Sequence, residues 1–449
     1  MKRLIAAFAL LGAAAFVPVV PAAAAAPATA VPSARSAIKH LVVMTQSGHS
    51  FDNYLGTRAG VDGIPAKACQ LRSRLAQPKC VAPFALTGSS AAQPFRSTAA
   101  TQMTSVNRGG MNGFVLAQTT RDSDGTAALG YYRAQDVPVL NSLADRGVVF
   151  DHWFSGVPGG TVANRLFGVT ASPPGDPSEV PIGGWGKVPV IFDRLTAAGV
   201  SWRIYVQNYE PALTIATAST KQRLGGQVAR VPVLAMVRYI NNPALSSHIV
   251  DLSHYYSDLT AGRLPAVSYI VSSSATEQPP QSPAKGQLLS RAVVNGLIAS
   301  SAWSSSAFLL QYDSSSGWYD HVRPPRIDGA TIGLRVPAIL ISPYAKPGTV
   351  DHTTMDAAST LKFMEKIWGL APLSKRDRDA ADLRTAFAFN RRPEPASLIG
   401  VPTDRNVIQP DRLLLYLGYL GALAVALALV IGVVYSTTVR DRRRLVGVA

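Results

Sequence analysis

Cysteine is nearly absent. The chain of 449 residues has two, Cys69 and Cys80, so a single pairing is all that disulfide chemistry can offer it. Acidic residues are also few, 27 against 43 Lys and Arg, and the formal net charge is +16. That excess is not gathered into a Lys/Arg stripe on any helix-like segment and no recognition motif accompanies it, which argues against nucleic acid as a partner. Charge is missing altogether from Leu413 to Tyr435, a stretch long enough to cross a bilayer at about 1.5 Å per residue. What the chain has in quantity is apolar: 47% of its residues, enough for a full core in one large α/β domain or two medium ones, and too much for overall disorder.

The two ends read as targeting and anchoring segments. Met1-Lys2-Arg3, the apolar run from Leu4 to Phe16 and the Ala-Pro tract to Ala30 have the charged start, short hydrophobic body and small-residue exit of a secretory signal. Arg440, Arg442, Arg443 and Arg444 follow the uncharged stretch directly, which keeps a basic tail (436–449) in the cytoplasm and the body of the chain outside the cell membrane. The expectation is a single-pass membrane protein with a signal over 1–30, an extracytoplasmic domain over 31–390, a linker over 391–412 and a transmembrane helix over 413–435. Cys69 and Cys80 then sit in an oxidising compartment at a spacing that closes a small loop, and a disulfide between them is expected, two free thiols being the alternative. Of the net charge, +2 belongs to Lys2 and Arg3 and +3 to the tail, so +11 remains on the part between. Such a tethered domain is drawn to anionic lipid heads, wall phosphates or phosphorylated substrates.

Within the domain, β-branched and apolar runs alternate with helix-like periods. Strands are expected at Ile38 to Thr45, Gly147 to Phe154, Val200 to Val206, Leu264 to Val271, Ala307 to Tyr312 and Val336 to Ser342. Helices are expected at Val139 to Arg146, Ile191 to Gly199, Leu288 to Ala299 and Ala357 to Trp368. That alternation predicts a mostly parallel sheet with Ile38 to Thr45 central and the site in the loops at the strand C-terminal ends, namely 46–53, 155–165, 272–283 and 313–325. Residues 57–110 show no sustained period and read as a long surface excursion pinned by Cys69 and Cys80, and the chain turns polar and proline-bearing from Arg376.

Ser155-Gly-Val-Pro-Gly-Gly-Thr-Val-Ala-Asn-Arg165 is the stretch with chemistry in it. A strand runs into a glycine turn and then a helix that begins at Thr161, so a hydroxyl, the free amides of a helix start and Arg165 one turn along converge where a phosphate would be held. Simple helix capping by Thr161 is the other reading of the same residues. Asp52 likewise reads as a helix cap.

In order and content, Ile38-Lys-His-Leu-Val-Val, Ser50-Phe-Asp, Gly110-Met-Asn-Gly-Phe-Val, Gly160-Thr-Val-Ala-Asn-Arg, Leu264-Pro-Ala-Val-Ser, Tyr312-Asp, Gly317-Trp-Tyr-Asp-His-Val-Arg-Pro-Pro and Arg335-Val-Pro-Ala through to His352 resemble a known family. It is the bacterial phosphoesterase family that contains phosphocholine-type phospholipases C and related acid phosphatases. The resemblance spans about residues 36 to 390. It implies an alkaline-phosphatase-like three-layer α/β sandwich and hydrolysis of phosphate esters beside a divalent metal. By the same resemblance Thr161 is the nucleophile, Asn164 and Arg165 follow it in the motif, Asp313 is a metal-binding acid, and His321 and His352 fall on histidines that hold phosphate oxygens.

The chain departs from that pattern where the metal would be held. Ser47-Gly48 stand for a Glu-Asn pair, Ser314 for a second acid, Gln278 for a histidine and Asn112 for an aspartate. Too few ligands then remain around Thr161 and Asp313, unless His49, on the face of Ser47, joins them to hold a softer ion such as zinc. Two functions follow: a membrane-anchored hydrolase of phosphate esters or phospholipids, or an inactive relative that binds phosphorylated lipid or cell-wall polymer.

Overall fold

The run Ile38 to Thr45 forms the strand His40–Gln46 (β1), in which every residue from Leu41 onward is buried. Burial on both faces is what a parallel strand between two helix layers requires. The computed structural model describes residues 33–72, 80–86, 95–172, 178–273 and 283–400. The signal (1–30), the stretch 413–435, the tail 436–449 and Gln278 lie outside the described residues. Among the described residues no helix is long and apolar enough to cross a membrane.

Seven strands join β1: Val148–Phe150 (β2), Trp202–Val206 (β3), Ile249–Asp251 (β4), Val267–Val271 (β5), Ser306–Tyr312 (β6), Ala338–Ile341 (β7) and Thr349–Asp351 (β8). They form one sheet in the order β8-β2-β7-β6-β1-β5-β3-β4, so the first strand is interior as expected. Every pairing is parallel except those of β7, which runs opposite to both β6 and β2. An apolar run carries no mark of direction, and between β6 and β7 the chain builds no crossover helix, the element that usually returns a strand in parallel. The strand expected over 147–154 is also two pieces. A turn at Asp151 and His152 separates β2 from Trp153–Phe154, which pairs instead with Met355–Asp356.

The helices that matter here are Phe51–Leu55 (α1), Pro138–Arg146 (α2), Thr161–Thr170 (α3), Ile191–Ala197 (α4), Gln227–Arg230 (α5), Pro283–Ile298 (α6) and Ala357–Trp368 (α7). Neighbouring residues of a strand face opposite ways, and the end of β1 shows which layer lies where. Gln46 donates to Gly286 O at 3.3 Å in α6, while on the other face Thr45 bonds Gln311, which accepts from Thr360 of α7 at 3.0 Å. Helices therefore cover both sides of the sheet. The limits of α7 agree with the sequence because Asp356 accepts from Ala358 N at 2.8 Å to start it and Gly369, at φ +68, ends it.

In the described parts of 57–110 the expected Cys69–Cys80 disulfide is present, Gln70–Leu71 pairs with Cys80–Val81, and the helix Ala99–Val106 leads into a small core of Met111, Phe114, Val115, Leu129, Tyr319 and Leu334. One expectation needs correction. The polar segment beyond Arg376 is docked. Ala388 N donates to Tyr344 O, Glu394 N donates to Pro343 O, and Phe387 stacks between Phe363 and Phe389. The expected linker from 391 thus begins as part of the domain, and aromatic stacking explains why a polar composition misleads there.

Candidate active site

β1 and β6 are adjacent and parallel, so both open on the same edge of the sheet. Their pairing continues past the strand ends: Asp313 N donates to Gln46 O and Gly48 N to Ser314 O, each at 3.0 Å. That zipper sets Ser47 beside Asp313, and the Ser47 hydroxyl donates to Asp313 Oδ2 at 2.6 Å. Gly48, at φ +98, turns the chain into α1. Ser50 caps α1 by accepting from Asn53 N at 3.1 Å, so the capping role expected of Asp52 belongs to Ser50.

Thr161 is the first residue of α3, reached through Gly159 at φ +125. A Cβ on Gly160 would lie 3.0 Å from Ser97 O, so the turn is packed as well as bent. Asn164 reaches back over this turn. Its Oδ1 accepts from Val157 N at 3.1 Å and its Nδ2 donates to Val157 O and Gly160 O, both at 3.1 Å. Its polar atoms are committed to the loop that leads into Thr161.

Arg165 and Thr161 converge on one carboxylate. Arg165 Nε donates to Asp313 Oδ2 at 2.7 Å, and its terminal nitrogen donates to Thr45 O at 2.7 Å and to Ser47 Oγ at 3.2 Å. Thr161 Oγ1 lies 3.4 Å from Asp313 Oδ1, which also accepts from Ser314 Oγ at 2.8 Å. The structure therefore brings Thr161, Arg165 and Asp313 together. It adds Arg230 from the end of α5, whose terminal nitrogen donates to Ser47 Oγ at 3.2 Å and whose Nε donates to Gly225 O at 3.0 Å. Burial first, and the like charge of Arg165 second, push the Arg230 pKa down to about 10 against the pull of Asp313, so the group stays a cation at neutral pH. Sequence reasoning missed Arg230. The one signal was a single charge inside the apolar run Val228-Ala-Arg-Val-Pro-Val-Leu234.

The histidines are placed elsewhere. His49 is buried with Nδ1 2.7 Å from Asn53 Oδ1, and its ring stacks on Tyr54 and Trp318. Among the described residues, the group of His, Cys, Asp and Glu donors close enough to hold an ion does not include Asp313 or His49. His321 turns Nδ1 to Asp52 Oδ2 at 2.8 Å and Nε2 to Asp62 Oδ1 at 3.0 Å, and His352 turns Nδ1 to Asp151 at 2.9 Å. Their hydrogen bonds go to carboxylates that fix loops, not to the surroundings of Thr161. For His321, burial opposes the charged form, but the bond and charge of Asp52 prevail and raise its pKa.

Asp52, Asp320 and His321 present ligand atoms within 4.8 Å of one another and form a candidate metal site. The fully buried guanidinium of Arg335 already spans it, with Nε 3.0 Å from Asp320 Oδ1 and a terminal nitrogen 2.8 Å from Asp52 Oδ1. Among the described residues, the surroundings of Asp313 do not fit a divalent ion. A carboxylate offers about four lone-pair positions, and here Arg165, Ser47, Ser314 and Thr161 address both oxygens. Ser47 and Gly48 bring no carboxylate or amide in compensation.

The model of the Phosphoesterase family matches residues 38–371. Phospholipase C A of Mycobacterium tuberculosis is 27% identical over 417 residues, covering 79% of this chain and 78% of its own. Non-specific phospholipase C6 of Arabidopsis thaliana is 27% identical over 391 residues, covering 77% and 71%. Among solved structures, a protein in the alkaline phosphatase superfamily from Vibrio parahaemolyticus is 13% identical with a TM-score of 0.38, covering 78% of this chain and 71% of that one. With its family motifs threaded along the two adjacent strand ends and the helix start that build this site, the chain belongs to the phosphoesterase family.

Proposed function

We propose that this chain is a phospholipase C-like hydrolase of phosphate esters, with Thr161 as the attacking group. The observation that carries this reading is the shared carboxylate: Thr161 and Arg165 approach different oxygens of Asp313 at the start of α3. Directing the Thr161 proton to Asp313 Oδ1 leaves an oxygen lone pair for phosphorus. As the new O–P bond forms, the proton passes along that contact, the bond to the leaving alkoxide breaks, and the alkoxide takes a proton from solvent. Water then attacks the phosphorylated threonine, the Thr161 oxygen leaves and is reprotonated, and Asp313 gives the proton it took back to solvent, which restores hydroxyl and carboxylate. The first-turn amides of α3 offer donors to the phosphate oxygens. The test is release of p-nitrophenol from p-nitrophenyl phosphorylcholine, and of diacylglycerol from phosphatidylcholine vesicles, by the full chain in detergent. Thr161→Ala abolishes both, and activity that survives the substitution refutes the assignment.

The uncharged stretch 413–435 and the basic tail behind it support single-pass anchorage with the domain on the outer side of the cell membrane. Resistance of the full chain to alkaline carbonate extraction, lost on truncation after Gly400, checks the anchor. A second reading draws on the saturation of the Asp313 carboxylate: a module that holds phosphorylated lipid or wall polymer without cleaving it. Phosphate binding with no product formed by the intact chain selects that reading.

A further inference from the structure

We propose that Arg165 and Arg230 take the place of a divalent ion at the Thr161 site, as fixed positive charge that receives a phosphate group without any metal. The proposal deepens the reading of the site as a phosphate-ester site, and rests on it for the class of ligand. Both guanidiniums converge on Ser47 Oγ, each at 3.2 Å, while that hydroxyl donates to Asp313 Oδ2 at 2.6 Å. Position 47 is where a carboxylate ligand would have to stand for Asp313 to share an ion with it. A serine there can accept from two cations and donate to an anion at once, which a carboxylate held on a metal cannot do. The arrangement is built rather than incidental: Arg165 is 6% exposed, Arg230 3% and Ser47 2%.

Charge placement supports the same conclusion. A metal in such a pocket would stand beside two buried cations, and its repulsion from them adds to the loss of ligands. A phosphate meets the opposite situation, because planar guanidiniums match its oxygens and are attracted to it in a low-dielectric surround. Next to the pair is a cavity of about 40 Å³ lined by Arg165, Arg230, Asp313 and Tyr269. The Tyr269 hydroxyl is buried with no hydrogen-bond partner among the described residues. The inference depends on where the two cations stand, whatever further partners Arg230 has.

The experiment is titration calorimetry of inorganic phosphate, and of orthovanadate, into the full chain in detergent, first dialysed against EDTA and then supplied in turn with Mg²⁺, Ca²⁺ and Zn²⁺. The expected result is one phosphate bound per chain with a Kd that changes less than twofold across the series. Arg230→Gln weakens that binding at least tenfold, and Arg230→Lys recovers part of the loss. Binding that vanishes on chelation and returns with a divalent ion overturns the proposal, as does failure of phosphate to bind under any condition. The chelation series uses the native chain, so it decides the matter even where a buried arginine variant does not fold. Chelator-resistant phosphate binding without hydrolysis leaves this inference standing and removes the hydrolase reading. Hydrolysis that EDTA stops does the reverse.

Discussion

Arg165 Nε sits 2.7 Å from Asp313 Oδ2, with the two side chains only 5% and 2% exposed. A charge pair this deep is held by mutual dependence, because each partner has given up its water.

Asp313→Ala is therefore expected to destabilise the domain by about 3–5 kcal/mol, chiefly by leaving the Arg165 cation buried without its carboxylate. Urea unfolding followed by intrinsic fluorescence measures this. Pairing it with Arg165→Met should recover much of the loss, and strict additivity of the two single effects would show that they do not act as a pair.

Asn164→Ala removes the staple across residues 157–160 while leaving Thr161 in the chain. Its three good hydrogen bonds are worth roughly 0.5–1.5 kcal/mol each in net stability. The expected signature is a fall in kcat with KM little changed, since the hydroxyl is displaced while the groups that bind phosphate remain. An unchanged kcat would separate the turn from the chemistry.

Arg335 joins four stretches of chain: its guanidinium meets the Asp52 and Asp320 carboxylates and the backbone oxygens of Asp62 and Asp151. Arg335→Met should cost about 3–5 kcal/mol by stranding two buried acids, and Arg335→Lys should recover little because one ammonium cannot reproduce the planar fork. Thermal unfolding of both variants checks this. A methionine variant as stable as the parent would mean that the acids find another partner.

Glu365 in α7 is buried with its Oε1 unpartnered among the described residues, and burial first, then the neighbouring Asp377, push its pKa up to about 8. The folded state thus binds a proton that the unfolded state releases above pH about 4.5, and stability falls as pH rises from there through 8, by at most about 1.4 kcal/mol per unit. Glu365→Gln removes that slope. The variant should match the parent near pH 4 and exceed it at pH 8, as read from unfolding midpoints; equal midpoints across the range would place the carboxyl in a more polar setting.

Much of the frame was legible because its signals are local. β1, β3, β5 and β6 are apolar runs bounded by turn residues, and α7 carries its own cap and its own terminating glycine. Thr161 at the start of a helix followed from two glycines and a helical period. What the sequence hid depends on distance along the chain. Arg230 acts on Ser47 across 183 positions, and nothing near either residue announces the other. Serines at 47 and 314 looked like lost ligands, although both hydroxyls hold the Asp313 carboxylate in place. His321 and His352 carry the right ring for phosphate, but Asp52 and Asp151, distant along the chain, share hydrogen bonds with those rings.

One detail at the end of β1 limits how this site can change. Thr45 and Gln46, side by side, are each fastened to a different helix layer, one through Gln311 and Thr360 and the other to Gly286. A slip of one residue would exchange the two faces and undo both fastenings together. Point replacement can rewrite what position 47 presents to an incoming anion, while insertion or deletion just ahead of it would cost the sheet its registration.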